Sequence, residues 1–192
     1  MKLSVVIFWL HILSLPISLA AQADSTWYTL EEARLVNPDS VFRLDLSRSK
    51  LREIPNEIYQ YHNVRELNLA QNKLQNLPDT FFFPNLQILN IEKNELDTFS
   101  SAICKHSELR QLYLGKNDIR YVPDCIANLK NLERLDMWFN PIADLNPAMA
   151  ELRKLKYLDL RGITYSNTFQ KKWSSLLPWV KIEFDLGCDC AD

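Results

Sequence analysis

The sequence predicts an α/β solenoid in which short parallel strands stack into a curved sheet on the concave face. Short helical or irregular segments return along the convex face, and helical caps close both ends. Three periodic features predict this. Leu44, Leu67, Leu89, Leu112, Leu135 and Leu158 each begin an apolar pair, from Leu44/Leu46 to Leu158/Leu160, at intervals of 23, 22, 23, 23 and 23 residues. Three residues past each pair stand Ser49, Asn72, Asn94, Asn117, Asn140 and Ile163. Two further on come Leu51, Leu74, Leu96, Ile119 and Ile142. Separate features that recur at one period mark a stack of equivalent coils.

The amino end, residues 24–40, reads as a helical cap. Thr29-Leu30-Glu31-Glu32 has the Thr-x-x-Glu form of a capping box. A short helix through Ala33 and Leu35 should follow and stop before Asn37-Pro38. Residues 41–163 hold five full repeats and a truncated sixth. In each strand the side chains alternate, so Leu67 and Leu69 face one way while Glu66, Asn68 and Ala70 face the other. The leucines of successive coils share one core that no single repeat could bury. The asparagine column sits inside the turn, where its amides can bond backbone groups of neighbouring coils, as buried polar groups require.

Most coils close with a Leu/Ile-Pro-x-x-Ile segment: Ile54-Pro55…Ile58, Leu77-Pro78…Phe81 and Val122-Pro123…Ile126. Phe99-Ser100…Ile103 and Leu145-Asn146-Pro147…Met149 depart from it on the outer face of the coil. Proline fixes φ and lacks a donor, which suits chain leaving the strand ladder. Residues 164–192 form the second cap. Asn167 to Leu177 carries apolar residues at 169, 173, 176 and 177, a helical spacing that Pro178 ends. Val180-Lys181-Ile182-Glu183-Phe184 then alternates like a last strand. Trp173 and Trp179 should act as lids over the final leucines, and a Cys-x-Cys tail follows.

This pattern, L-x-x-L-x-L-x-x-N-x-L, resembles the leucine-rich repeat family over roughly residues 41–163. The resemblance implies an interaction scaffold, and such scaffolds are reused for unrelated partners. The whole chain, with its apolar start and Cys188-Asp189-Cys190 tail, resembles small exported bacterial leucine-rich repeat proteins.

Residues 1–23 read as a secretory signal peptide. Lys2 precedes an apolar run from Leu3 to Leu15, and the small-residue sites Ser18-Leu19-Ala20 and Ala21-Gln22-Ala23 follow. The run is shorter than the roughly 20 residues a membrane span needs. The expected product is an exported, periplasmic or extracellular chain with no stable membrane insertion after cleavage. The length suits one domain. A formal net charge of −2, with Lys and Arg dispersed, makes no electrostatic case for nucleic acid.

Export would permit disulfides, and four cysteines allow three connectivities. Cys104 follows the core position Ile103 while Cys125 precedes Ile126, so the pair lies two residues out of register and is not favoured. Cys188 and Cys190 could close only a very small ring. Cys104-Lys105-His106 invites a catalytic or zinc reading, yet no second histidine stands near it in the repeat, and no acid–base or nucleophile constellation converges. The three glycines, at 115, 162 and 187, cannot form a phosphate-cradling loop. The sequence therefore calls for no enzyme, cofactor or metal.

The concave positions carry the functional signal. The first half is small and polar: Arg43, Asp45, Ser47, Glu66, Asn68, Ala70. The second half gathers Tyr113, Arg134, Asp136, Trp138, Tyr157, Asp159 and Arg161, with Phe139 at the margin. Trp, Tyr and Arg dominate binding hot spots. These eight residues are the expected contacts for a protein or peptide bound by a monomer. A carbohydrate or cell-envelope ligand is the alternative that aromatics beside Asp and Arg would also serve. Trp138 and Phe139 have a second reading, in which they fold over their neighbours as support.

Overall fold

The computed structural model describes residues 25–188. The proposed signal peptide over residues 1–23 lies outside them, as do Asp189 and Cys190 of the tail.

Eight parallel strands form one sheet in sequence order. They are β1 (Trp27–Thr29), β2 (Arg43–Asp45), β3 (Glu66–Asn68), β4 (Ile88–Asn90), β5 (Gln111–Tyr113), β6 (Arg134–Asp136), β7 (Tyr157–Asp159) and β8 (Lys181–Glu183). Leu44, Leu67, Leu89, Leu112, Leu135 and Leu158 stand directly side by side, as the repeat interval requires, and Ile182 of the cap continues the row. The first leucine of every repeat pair is buried, and so is its partner two residues on, which makes one continuous core.

The asparagine column bridges coils. Asn117 Nδ2 donates to Ile91 O (3.0 Å) and Leu114 O (2.8 Å), while its Oδ1 accepts from Leu96 N–H (3.1 Å). Asn72 and Asn140 repeat this pattern one or two coils away.

The convex side explains the one short interval. Single 3₁₀ turns run over Asn56–Gln60, Ile103–Lys105, Asp124–Asn128 and Pro147–Glu151. The coil between Leu67 and Leu89 has no such turn. Extended chain advances about 3.3 Å per residue against about 2 Å in a 3₁₀ turn, so that coil closes with one residue fewer.

The same turns overturn the expectation about Cys104 and Cys125, which form a disulfide with Cα atoms 5.7 Å apart. Two residues out of register would separate strand positions by about 7 Å along the chain, but by only about 4 Å in 3₁₀ turns. Closing a loop over a separation of 21 residues stabilises by about 3 kcal/mol on the chain-entropy account. Cys188 is disulfide-bonded as well.

At the amino end Thr29 and Glu32 make both bonds of the capping box, and helix α1 covers Leu30–Ala33. The helix is shorter than expected: Leu35 lies beyond it, fully outside the core. Strand β1 was not expected, because Trp27-Tyr28-Thr29 lacks the Leu-x-Leu signature. At the other end helix α2 (Asn167–Leu176) is capped by Ser166 and buries Trp173 and, just past its end, Leu177. Leu176 points outward instead. Trp179 is partly buried and donates its indole N–H to Leu152 O (3.3 Å), as a lid residue would. Among the described residues no helix is long and apolar enough to cross a membrane.

Candidate functional site

A polar ladder runs along the middle of the concave face. Asp45, Asn68, Asn90, Asp136 and Asp159 each accept the amide N–H two residues on, from Ser47, Ala70, Glu92, Trp138 and Arg161. An acceptor at this point satisfies an amide where each strand ends. Only the fourth repeat breaks the ladder, with Tyr113 in place of Asp or Asn and Gly115 two residues later. This gap is where the two halves of the face begin to differ.

Trp138 exploits it. A Cβ on Gly115 would stand 2.0 Å from the indole Nε1, so only glycine lets the ring lie flat there. The indole N–H reaches Glu92 Oε1 at 3.0 Å, two coils away. Phe139 makes the matching contact in the opposite direction, across Gly162, whose φ is +93° and whose Cβ would stand 2.3 Å from the phenyl ring. The two rings meet edge to face at 5.5 Å. Lys116 Nζ sits 5.0 Å from the Trp138 ring and 5.5 Å from that of Phe139. In each case an aromatic residue and a glycine share one column and lie one repeat apart.

Arg134 is held between Tyr157 and Tyr113, with its guanidinium carbon 4.1 and 5.5 Å from their ring centres. It reaches Asp136 Oδ2 at 3.3 Å. Arg161 grips Asp159 more tightly, through Nε (3.0 Å) and Nη2 (2.5 Å). Both aspartates are buried. At Asp136 burial dominates, the neighbouring Asp159 charge adds to it, and the carboxyl is pushed above its ordinary range. At Asp159 burial is again the largest influence, yet the bonds from Arg161 together outweigh it and hold the carboxyl low.

Arg134, Asp136, Trp138, Phe139, Asp159 and Arg161 thus line one open hollow of about 460 Å³, completed by Gly162 and Asp185. Six of the eight expected residues therefore converge. Tyr113 and Tyr157 stand behind Arg134 as its clamp and do not line the hollow. Asp185, which accepts the Gly162 N–H at 2.6 Å, lies past the last repeat, where the repeat pattern gave no reason to look. Trp138 folds over Gly115, as the support reading expects, and it also lines the hollow.

His106 has an internal role. Its Nε2 accepts Phe83 N–H (3.1 Å) and its Nδ1 lies 3.1 Å from Ile103 O, a pairing that requires the neutral ring. Burial is the main cause holding its pKa below the ordinary value. Among the described residues no group of three or more His, Cys, Asp and Glu could hold a metal ion.

Residues 63–176 match the family described as leucine-rich repeat region. The chain belongs to the leucine-rich repeat family, whose repeats generally serve protein binding. It is 33% identical over 114 residues to the volume-regulated anion channel subunit LRRC8A of Rattus norvegicus, covering 59% of this chain and 12% of that protein. To Toll-like receptor 10 of Bos taurus it is 34% identical over 103 residues, covering 51% and 12% respectively. The chain thus spans a small part of these relatives' lengths. A solved leucine-rich repeat protein of Leptospira interrogans superposes with a TM-score of 0.67 at 29% identity, over 84% of this chain and 47% of that one.

Proposed function

We propose that this protein is a non-catalytic binding module that holds an extended protein or peptide segment against the carboxyl half of its concave face. The observation that carries the reading is the hollow itself, where arginine, tryptophan and phenylalanine side chains meet over buried carboxylates. Strands β5 to β7 lie about 5 Å apart, so one extended segment crossing them could touch all three. The amino half offers no aromatic wall at the equivalent ladder positions. The Cys104–Cys125 disulfide and the apolar start of the chain support action outside the cytoplasm, where such bonds persist.

Photo-crosslinking tests the location. A benzophenone amino acid placed at Phe139 should capture peptide from cell-envelope extract, identified by mass spectrometry of the adduct. The same group at Gln71, in the equivalent turn near the amino end, should capture little. Equal capture at both positions, or adducts with glycan alone, would refute the reading.

A further inference from the structure

We infer that the hollow bounded by Trp138, Phe139 and Asp185 receives a basic side chain, arginine or lysine, from the bound peptide. The inference rests on the concave-face reading above and adds what the partner must present there.

Charge makes the first case. Two arginines against three aspartates leave the lining one negative charge in excess. The pairing within it is also uneven. Arg161 serves Asp159 with two nitrogens, whereas Asp136 meets one Arg134 nitrogen at 3.3 Å and one amide at 3.4 Å. Arg134 cannot turn further toward it while stacked between two tyrosines, and its own Nε is buried without a partner among the described residues. Asp136 and Asp159 are direct neighbours on paired strands. A buried carboxylate beside a second one, with only one weak cationic contact, is a site short of positive charge.

The walls make the second case. Phe139 is 52% exposed and holds a left-handed backbone, φ 52°. The other members of that turn column are Arg48, Gln71, Lys93, Lys116 and Gly162, so Phe139 is its one bulky aromatic. The turn is left-handed in every coil, and here alone in the column it carries a bulky aromatic, a residue type uncommon at positive φ. With Trp138 it forms an aromatic wall beside the carboxylates. Lys116, which does not line the hollow, shows that these rings accept a cation at about 5 Å. A guanidinium would suit both parts, stacking on a ring while forking to carboxylates.

The test titrates the full chain with the blocked pentapeptide Gly-Gly-Arg-Gly-Gly and with versions carrying lysine, citrulline or glutamate at the centre. The readout is the NMR signal of the Trp138 indole N–H. The arginine peptide should shift that signal and bind at least about tenfold more tightly than the citrulline peptide, the difference a lost charge-assisted pair makes. Asp136→Asn should weaken the arginine peptide by about the same factor. It should not disturb the fold, because Asn68 and Asn90 already fill this ladder position elsewhere. Asp45→Asn, at the far end of the ladder, should change nothing.

Citrulline or glutamate binding as tightly as arginine would overturn the basic preference and leave the concave-face reading standing. An unchanged affinity in Asp136→Asn, or no response to the arginine peptide at any concentration, would overturn the inference outright. The concave-face reading itself stands or falls on the crosslinking pattern.

Discussion

Leu112→Ala should cost about 2–5 kcal/mol, the range for emptying a well-packed leucine site. Leu112 is wholly buried at the centre of the stack, flanked in register by Leu89 and Leu135. A solenoid has no alternative partner for those neighbours, since each coil touches only the next. The cavity would therefore open between two coils and weaken the joint between halves of the array. Chemical denaturation measures this directly. A loss within 0.5 kcal/mol, the scale of harmless surface changes, would contradict the register.

Asn117→Ala should be comparably damaging for a different reason. It deletes no core volume of note but leaves Leu96 N–H without its acceptor, while Ile91 O and Leu114 O each lose one donor and keep the amides of Asn94 and Asn140. A stranded buried amide costs about 1–3 kcal/mol, so a loss in that range is expected. Asn117→Asp should not rescue it, because its second carboxylate oxygen would face Ile91 O and Leu114 O where the amide now donates. Thermal and urea unfolding of both variants decide this, and equal stability for wild type and Asn117→Ala would remove the bridging role.

The repeats were legible because one period controls both packing and hydrogen bonding. Leu44 through Leu158 fall side by side where the intervals place them. What escaped the pattern lies where the period stops or another geometry takes over. Strand β1 has tyrosine between its outward residues, and it joins the sheet by pairing Tyr28 with Leu44. The Cys104–Cys125 bond depends on 3₁₀ compaction, which residue counting along an extended chain does not register.

The candidate site was legible as a cluster of residue types, less so as roles. Asp136 and Asp159 stood out as charged contacts, yet they belong to the ladder that finishes each strand as well. Tyr113 and Tyr157 support Arg134 from behind. The signal for Trp138 and Phe139 was present in Gly115 and Gly162, each one repeat away in the same column. It takes three dimensions to see that the missing Cβ atoms make room for those rings. Arg161 is a poor binding probe by itself, because removing it would strand the buried Asp159 carboxylate and cost stability.

The most direct measurement is therefore titration calorimetry of the crosslinked partner's peptide against Trp138→Ala and Ser47→Ala, two concave variants with matched thermal stability. Trp138 walls the hollow, while Ser47 lies on the ladder side of the amino half. Truncating a central aromatic anchor loses about 2 kcal/mol, or about thirtyfold in affinity. Trp138→Ala should show that loss and Ser47→Ala should keep wild-type affinity, whereas equal affinities for the two variants would place the partner elsewhere on the molecule.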